Sequence, residues 1–254
     1  AFSAVLATWI IKSWMGGVES GSGGMIIACM LSILACSGLG LFSGLMVAFF
    51  GVPSFVASLG MMMVASGLAY MLSGGQSIYQ VPPSFEWLGR GDDLVGIPNA
   101  VVLMVILYLF AHLIMSRTVA GRQIYAVGGN PEAARLSGVP VRRILLSVYA
   151  GCGALAGLGG IVMASQFRSG DPKYGLMYEL YVIAAVVVGG SSLSGGRGKV
   201  FGTLIGAFII AVIQNGMNLT GVQSYTQKVV LGLVLLSAVL LDLLKKRGWK
   251  LNSN

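Results

Sequence analysis

The chain has 254 residues, of which 56% are hydrophobic and only 9% are charged, and its mean hydropathy is +0.86. Soluble domains carry about 25% charged residues, so this composition argues against a soluble ATPase. Several apolar runs approach the length of about 20 residues that a membrane helix needs. Because the bilayer offers no water to backbone groups, these runs predict an all-α, polytopic transmembrane helical bundle.

Taken in chain order, the apolar runs predict about seven to eight spans in one transmembrane domain, residues 1–254. Ala1–Ile11 is apolar but too short to cross a bilayer, and we interpret it as the end of a span. The runs that follow are Gly24–Phe50, Phe55–Ser73, Pro98–Met115, Ile144–Ala164, Glu179–Leu193, Val200–Leu219 and Thr226–Leu243. The fifth run is short and ends in Gly189-Gly190-Ser191-Ser192, which favours a helix that is broken or does not fully cross.

The formal net charge of +8 would suit a nucleic-acid partner until the basic residues are placed along the chain. Most lie in three segments, which contain Arg117, Arg122, Arg135, Arg142 and Arg143; Arg197 and Lys199; and Lys245, Lys246, Arg247 and Lys250. If every run crosses, parity places the three segments on one side, and the positive-inside rule makes that side cytoplasmic. The loop Gly74–Gly96, with Glu86, Asp92 and Asp93, is then external. Membrane topology thus explains the charge, and no nucleic-acid partner is predicted.

The pentapeptide Leu72-Ser73-Gly74-Gly75-Gln76 is identical to the signature of ATP-binding-cassette ATPases. It ends the second run on the predicted external side, where no ATP is available. A nucleotide site also needs a phosphate loop of the form G-x-x-x-x-G-K-[ST], and Gly189–Lys199 does not have that spacing. We interpret the pentapeptide as a chance match in a chain with 38 glycines.

Small residues recur at helical spacing in three of the runs. The pairs are Gly40 and Gly44, Gly153 and Gly157, and Gly202 and Gly206. Such pairs let membrane helices approach closely, so they predict packing. Cys29, Cys36 and Cys152 lie in apolar runs without metal-ligand spacing, and no metal site or catalytic residue is predicted.

The predicted cytoplasmic loop, residues 116–143, contains the pattern of a short helix that is capped at both ends. Asn130 suits the N-cap, Pro131 suits the first helical position, and Glu132 favours the positive end of the helix dipole. Gly138 suits a left-handed C-terminal cap. The segment is Asn130, Pro131, Glu132, Ala133, Ala134, Arg135, Leu136, Ser137 and Gly138. A helix this short is marginal in water, so it must pack on lipid, on its own bundle or on a partner.

The stretches "GRQIYAVGGNPEAARLSGV", "YELYVIAAVVVGGSSLSGGRGKVFGTLIGAFII" and "QNGMNLTGVQSY" occur in this order. Together they resemble the ABC importer permeases of the ribose, xylose and galactose class, over roughly Gly44–Leu244. In that family the loop helix docks in a groove of a separate ATPase. Its members usually have about ten membrane segments, and the resemblance implies that the N-terminal part of the usual permease is missing here.

The resemblance implies the membrane subunit of an ATP-driven monosaccharide importer in the inner, cytoplasmic membrane of a bacterium. The expected partners are a cytoplasmic ABC ATPase, a second permease subunit in a homo- or heterodimer, a periplasmic or extracellular sugar-binding protein, and membrane lipid. ATP and Mg are expected on the ATPase, so this chain needs no cofactor and is not itself an enzyme. The alternatives are a permease for an amino acid or autoinducer, and a secondary transporter or channel without an ATPase.

A sugar path needs hydrogen-bonding side chains inside the bundle. Gln214, Asn215 and Asn218 cluster near the external end of the sixth run, and Gln214 and Asn218 share a helix face. Glu179 begins the fifth run. These residues also have simpler structural explanations. The amides suit contacts between helices or an ordinary helix end, and the Glu179 carboxylate suits the positive N-terminal end of a helix dipole.

Overall fold

The computed structural model describes residues 1–93, 96–192 and 195–251, with side chains described as far as residue 240. Within these ranges the chain is helical, with turns and one isolated bridge between Ile78 and Gly170, so the all-α prediction is confirmed. The α-helices are α1 (Phe2–Trp14), α2 (Ser22–Phe50), α3 (Ser54–Ser73), α4 (Trp87–Arg90), α5 (Asn99–Arg117), α6 (Val119–Gly129), α7 (Pro131–Leu136), α8 (Val141–Phe167), α9 (Tyr178–Val188), α10 (Val200–Leu219) and α11 (Ser224–Leu251).

Five of the helices in the described residues are long and apolar enough to cross a membrane. They are α2, α3, α5, α8 and α10, which have 19 to 29 residues. Nineteen helical residues extend about 28 Å, close to the thickness of the hydrocarbon core. The chain is therefore a multi-pass membrane protein, as the sequence predicts.

Two of the seven predicted spans differ from these five. α9 has 11 residues and extends only about 16 Å, so it does not cross a bilayer alone. The predicted end of that run, Leu193, lies outside the described residues. α11 is apolar over Ser224–Leu240, and the side chains of Lys245, Lys246, Arg247 and Lys250 lie outside the described part of the chain.

Residues 1–106 and 140–176 form the first of two compact units. Its core includes α1, which packs against α2, α3 and α8. The side chains of Ala4, Val5, Ala7 and Ile11 have no exposed surface. The apolar first segment is thus a buried helix in this unit.

The close approach of α2 and α8 confirms the packing predicted from glycine spacing. A Cβ on Gly40 would overlap the carbonyl oxygen of Tyr149, and a Cβ on Gly153 would overlap that of Cys36. The Ser37 hydroxyl also donates a hydrogen bond of 3.1 Å to the carbonyl of Ala150. Backbone-to-backbone contact of this kind is possible only where side chains are missing.

Residues 107–139 and 177–254 form the second unit, in which α9 packs against α10 and α11. Its buried cluster is formed by Ala184, Ala185, Ile210 and Leu231. Gly202 and Gly206 of α10 meet the backbone of Gly189 and Ala185, where an added Cβ would overlap carbonyl oxygens. The third predicted glycine pair is therefore also a site of close helix packing.

Candidate functional site

The predicted loop helix is present as α7, and Asn130 joins it to α6. The backbone N–H of Asn130 donates to the carbonyl of Ala126 at 3.1 Å and ends α6. Its side-chain Oδ1 accepts a 3.1 Å hydrogen bond from the N–H of Ala133 and caps α7. Because the same residue ends one helix and begins the next, the corner between α6 and α7 is held by hydrogen bonds on both sides.

The far end of α7 has the glycine-dependent termination that the sequence predicts. Gly138 has a φ of +80°, in the left-handed region. Its N–H donates to Arg135 and the N–H of Val139 donates to Ala134, both at 3.0 Å, which is the Schellman pattern. No heavy atom lies within 4 Å of the position of an added Cβ, so the requirement for glycine comes from backbone conformation and not from space.

One side of α7 is buried and the other is open. Ala134 is 5% exposed, whereas Leu136 is 83% exposed. Glu132 and Arg135 form an exposed ion pair of 3.0 Å one turn apart. Exposed pairs of this kind contribute about 0–1 kcal/mol, so the caps hold the helix more than the charges do. An exposed leucine on a capped helix outside the spans offers an apolar contact to a partner.

Sequence reasoning missed α6, which precedes the loop helix. Thr118 provides its N-cap, because the Thr118 hydroxyl accepts a 3.2 Å hydrogen bond from the N–H of Gly121. Val127 and Gly121 are buried. The threonine immediately after the end of α5 was the available signal. The loop therefore contains two consecutive helices, where the sequence predicted one.

A contact that we call the glycine seam joins α6 to the segment before α10. The Tyr125 hydroxyl donates a 2.8 Å hydrogen bond to the carbonyl of Gly198. A Cβ on Gly128 would lie 2.9 Å from the backbone nitrogen of Gly196, and one on Gly195 would overlap the carbonyl of Gly128. Two of the three basic segments are thus in direct contact, which agrees with their predicted placement on one side of the membrane.

A pocket of about 430 Å³ lies beside the glycine seam. Its wall is formed by Tyr125, Gly189, Gly190, Gly196, Arg197, Gly198, Lys199 and Gly202. Two of these residues are basic and none is acidic, so the pocket continues the positive charge of the loop.

The predicted substrate residues are all in the second unit but do not form one cluster of hydrogen bonds. Gln214 is half-buried on α10, and Asn215 is exposed. Asn218 accepts a 2.8 Å hydrogen bond from Gln227, which belongs to α11. Glu179 is exposed in the first turn of α9. The contact of Asn218 agrees with an ordinary helix end, while Gln214 stays a candidate for the path.

The pentapeptide that resembles an ATPase signature forms the end of α3 and a turn. Gly74 and Gly75 have φ values of +59° and +75°, and the N–H of Gly75 donates to the Ser73 hydroxyl at 3.2 Å. These five residues have a local structural role as a helix cap. Among the residues that the structure describes, no group of three or more His, Cys, Asp or Glu is placed to hold a metal.

Residues 1–239 match a family model that is described as "branched-chain amino acid transport system / permease component". This match covers nearly the whole chain. The chain belongs to this permease family.

Relatives of this permease include importers of pentoses. It is 40% identical over 244 residues to the ribose import permease of Escherichia coli K12, covering 94% of this chain and 75% of the relative. The chain is 43% identical to the ribose import permease of Bacillus subtilis, over 79% of this chain and 62% of the relative. It is 37% identical to the L-arabinose transport system permease of Escherichia coli K12, over 81% of this chain and 62% of the relative. These similarities confirm the resemblance to sugar-import permeases. No solved structure matches the chain.

The predicted external loop of the permease is held to the end of α8 by contacts that sequence reasoning missed. Ser77 donates a 2.6 Å hydrogen bond to the Asp171 carboxylate, beside the bridge between Ile78 and Gly170. Partial burial acts to raise the pKa of Asp171, but the hydrogen bonds from Ser77 and the Lys173 backbone, together with the Lys173 charge, lower the pKa below its ordinary value. These contacts therefore favour the anionic form of Asp171.

A second set of contacts in the same unit completes this cap of the permease. Arg168, with a φ of +50°, ends α8 and forms a 2.8 Å ion pair with Glu86. Buried Ser165 accepts a 2.8 Å hydrogen bond from the N–H of Gly89 and donates one of 2.5 Å to the carbonyl of Phe85. The loop that contains Pro82 and Pro83 thus covers one end of this unit.

Proposed function

We propose that this permease is the transmembrane subunit of an ATP-driven importer of a monosaccharide in the bacterial cytoplasmic membrane. The observation that carries the proposal is α7, a helix capped at both ends, outside the spans, with Leu136 exposed. In the proposal α7 docks on a separate cytoplasmic ATPase. The similarity to ribose and L-arabinose permeases supports a pentose as the substrate.

In this proposal ATP hydrolysis and sugar transport belong to separate subunits, which agrees with the residues of this chain. ATP and Mg bind to the partner ATPase, and this subunit catalyses no covalent step. The sequence has no G-x-x-x-x-G-K-[ST] loop, and its LSGGQ stretch forms a helix cap. Conversion of ATP-driven movement into transport then requires α7 to remain docked while the spans rearrange. A second permease subunit and a sugar-binding protein complete the proposed importer.

Along the proposed path, Gln214 hydrogen-bonds the hydroxyl groups of the sugar. An amide donates and accepts at once, as each sugar hydroxyl does. Glu179, Asn215 and Asn218 are the other candidates of the second unit, although Asn218 already has a partner in Gln227. A half-buried amide on a membrane span is therefore the strongest of the four for contact with substrate.

An amino acid is the second candidate substrate, favoured by the description of the matching family. Discrimination between the two substrates requires uptake measurements with the chain, its ATPase and its binding protein in sealed vesicles. We expect ATP-dependent uptake of labelled D-ribose or L-arabinose that excess L-leucine does not compete away. Uptake of L-leucine in place of either pentose would overturn the sugar assignment.

Docking through α7 is tested separately by Leu136→Glu. This change places a charge on the exposed apolar side chain of α7 and should reduce co-purification of the ATPase. Leu176→Glu is the matched control, because Leu176 is 75% exposed and lies outside the loop. Equal recovery of the ATPase with both variants would contradict docking through α7.

A further inference from the structure

We infer that Tyr125 and Gly128 are positioning residues that hold α6 and α7 against the segment leading into α10, so that a displacement of α7 reaches the α9–α10 pair. The inference deepens the proposed function and rests on it. It adds to docking by α7 a route from that helix to the spans that contain the candidate substrate residues. Three consecutive contacts in the second unit support the route.

The first contact is the corner at Asn130. Its N–H ends α6 and its side chain begins α7, with both hydrogen bonds at 3.1 Å. Only one residue separates the two helices, so the hinge between them has little freedom. A partner that moves α7 therefore also moves the C-terminal end of α6, where Tyr125 and Gly128 lie.

The second contact is the glycine seam. Tyr125 is half-buried, and its hydroxyl reaches the carbonyl of Gly198, two positions before the first residue of α10. At Gly128 the backbone of α6 lies directly on that of Gly196, without an intervening side chain. A backbone contact has no rotamer that could absorb a shift, and close-packed interiors transmit strain. The seam thus joins α6 to the start of α10 by one hydrogen bond and one steric contact.

The third contact joins α10 to α9. Gly202 and Gly206 face the backbone of Gly189 and Ala185, where no Cβ fits. α9 and α10 therefore share a side-chain-free contact near their connecting segment. These two helices contain Glu179 and Gln214, so the route ends on the helices that carry the candidate substrate residues. Energetic coupling along this route is measured by the amount of sugar transported per ATP hydrolysed.

Tyr125→Phe removes the hydroxyl and keeps the ring. The experiment reconstitutes the complete importer in proteoliposomes and measures the sugar transported per ATP hydrolysed. A hydrogen bond of ordinary strength predicts a two- to tenfold fall in this ratio, with unchanged recovery of the ATPase in the complex. Tyr79→Phe is the matched control, because Tyr79 is 71% exposed in the external loop, and it should leave the ratio unchanged. A role in folding alone would change thermal stability but not the ratio.

Gly128→Ala and Gly129→Ala form a second matched pair on the same helix. A Cβ at Gly128 would lie 2.9 Å from the backbone of Gly196, whereas a Cβ at Gly129 would lie 3.8 Å from its nearest neighbour. We expect the first substitution to lower the transport ratio and the second to leave it unchanged. If Gly128→Ala prevents assembly, Tyr125→Phe decides the question.

Unchanged ratios in both Tyr125→Phe and Gly128→Ala, with normal uptake by the unaltered importer, would overturn this inference and leave the proposed function standing. An equal loss in Tyr79→Phe or Gly129→Ala would also overturn it. Failure of the unaltered importer to show any ATP-driven uptake would overturn the proposed function, and the inference with it.

Discussion

Gly40 of α2 and Gly153 of α8 meet backbone to backbone: a Cβ on Gly40 would lie 3.1 Å from the Cα of Gly153 and would overlap the carbonyl of Tyr149. The contact belongs to the most extensive helix pair of the first unit. Nearby, Cys36 fills the space beside Gly157, so one cysteine of the chain is a packing residue here. Because no side chain separates the two backbones at Gly40 and Gly153, the helices gain van der Waals contact, which contributes to their association in lipid.

Gly153→Ala should destabilise this unit, because the added methyl group overlaps the Cys36 carbonyl and forces the helices apart. Overpacking of this kind typically costs about 1–3 kcal/mol. Gly151→Ala is the control, because no heavy atom lies within 4 Å of an added Cβ there. Thermal unfolding in detergent should show a lower midpoint for Gly153→Ala only. Equal midpoints would show that α2 and α8 accommodate a methyl group at Gly153 without loss of stability.

Gly138→Val should weaken the assembly with the ATPase without unfolding the spans. A β-branched residue resists the φ of +80°, so the Schellman termination of α7 is lost. Gly138→Asn is the control, because asparagine adopts the left-handed region more readily than other residues do. Co-purification measures the assembly, and size-exclusion chromatography verifies the fold. Full recovery of the ATPase with the valine variant would count against the role of α7.

Asp171→Asn should remove a pH-dependent part of the stability of the cap formed by the predicted external loop. The folded pKa of Asp171 is depressed below the ordinary value of 3.8, so its contribution is present above the unfolded pKa and is lost as the pH falls through the folded pKa. The unaltered permease should therefore melt at a higher temperature than the variant at pH 7, and the difference should shrink toward pH 3. A difference independent of pH would show that the carboxylate charge is not involved.

Local patterns predicted the features that depend on neighbouring residues. The length and apolarity of α2 and α10 identify spans, and Asn130 and Gly138 mark both ends of α7, because capping is decided within a few residues. α6 escaped prediction because Gly121, Gly128 and Gly129 lower its helix propensity, and its cap follows α5 without a linker. The glycine seam explains Gly128, because the backbone of Gly196 approaches it too closely for a side chain.

Contacts between residues that lie far apart in the chain could not be predicted from the sequence. Ser77 and Asp171 are 94 positions apart, and no periodicity relates them. The burial of α1 likewise depends on the helices around it, which a hydrophobic run does not specify. For the candidate path, the sequence shows the amide pattern on α10. It does not show that Asn218 accepts a hydrogen bond from Gln227 and so helps to join α10 to α11.

Gln214→Ala and Asn218→Ala should differ in what they change. Loss of the half-buried Gln214 amide should raise the KM for sugar with little change in melting temperature, because Gln214 has no side-chain hydrogen-bond partner among the residues that the structure describes. Asn218→Ala removes the acceptor of Gln227 between α10 and α11 and should lower stability by about 0.5–1 kcal/mol, with a smaller effect on KM. Uptake kinetics and thermal unfolding of both variants provide the comparison. If Gln214→Ala lowered the melting temperature and Asn218→Ala raised the KM, Gln214 would be a packing residue of the bundle.

The last prediction concerns the pentapeptide Leu72–Gln76 and the side of the membrane on which it lies. Gln76 is exposed in the turn after α3, and Ser137 is exposed at the end of α7. Single cysteines at these two positions, with Cys29, Cys36 and Cys152 replaced by alanine, report the topology through a membrane-impermeant thiol reagent applied outside. In sealed cells with an accessible outer face, the cysteine at 76 should be labelled at once.

The cysteine at 137 should be labelled only after permeabilisation, because the positive-inside rule places the basic loop in the cytoplasm. The purified chain should also bind no ATP, with or without Ser73→Arg, since the pentapeptide is a helix cap and the sequence has no phosphate loop. Ser73→Arg should at most disturb folding, since an arginine at the end of a span can extend to the interface. Labelling of position 76 only after permeabilisation would invert the topology, place LSGGQ where ATP is available and separate α7 from any cytoplasmic ATPase.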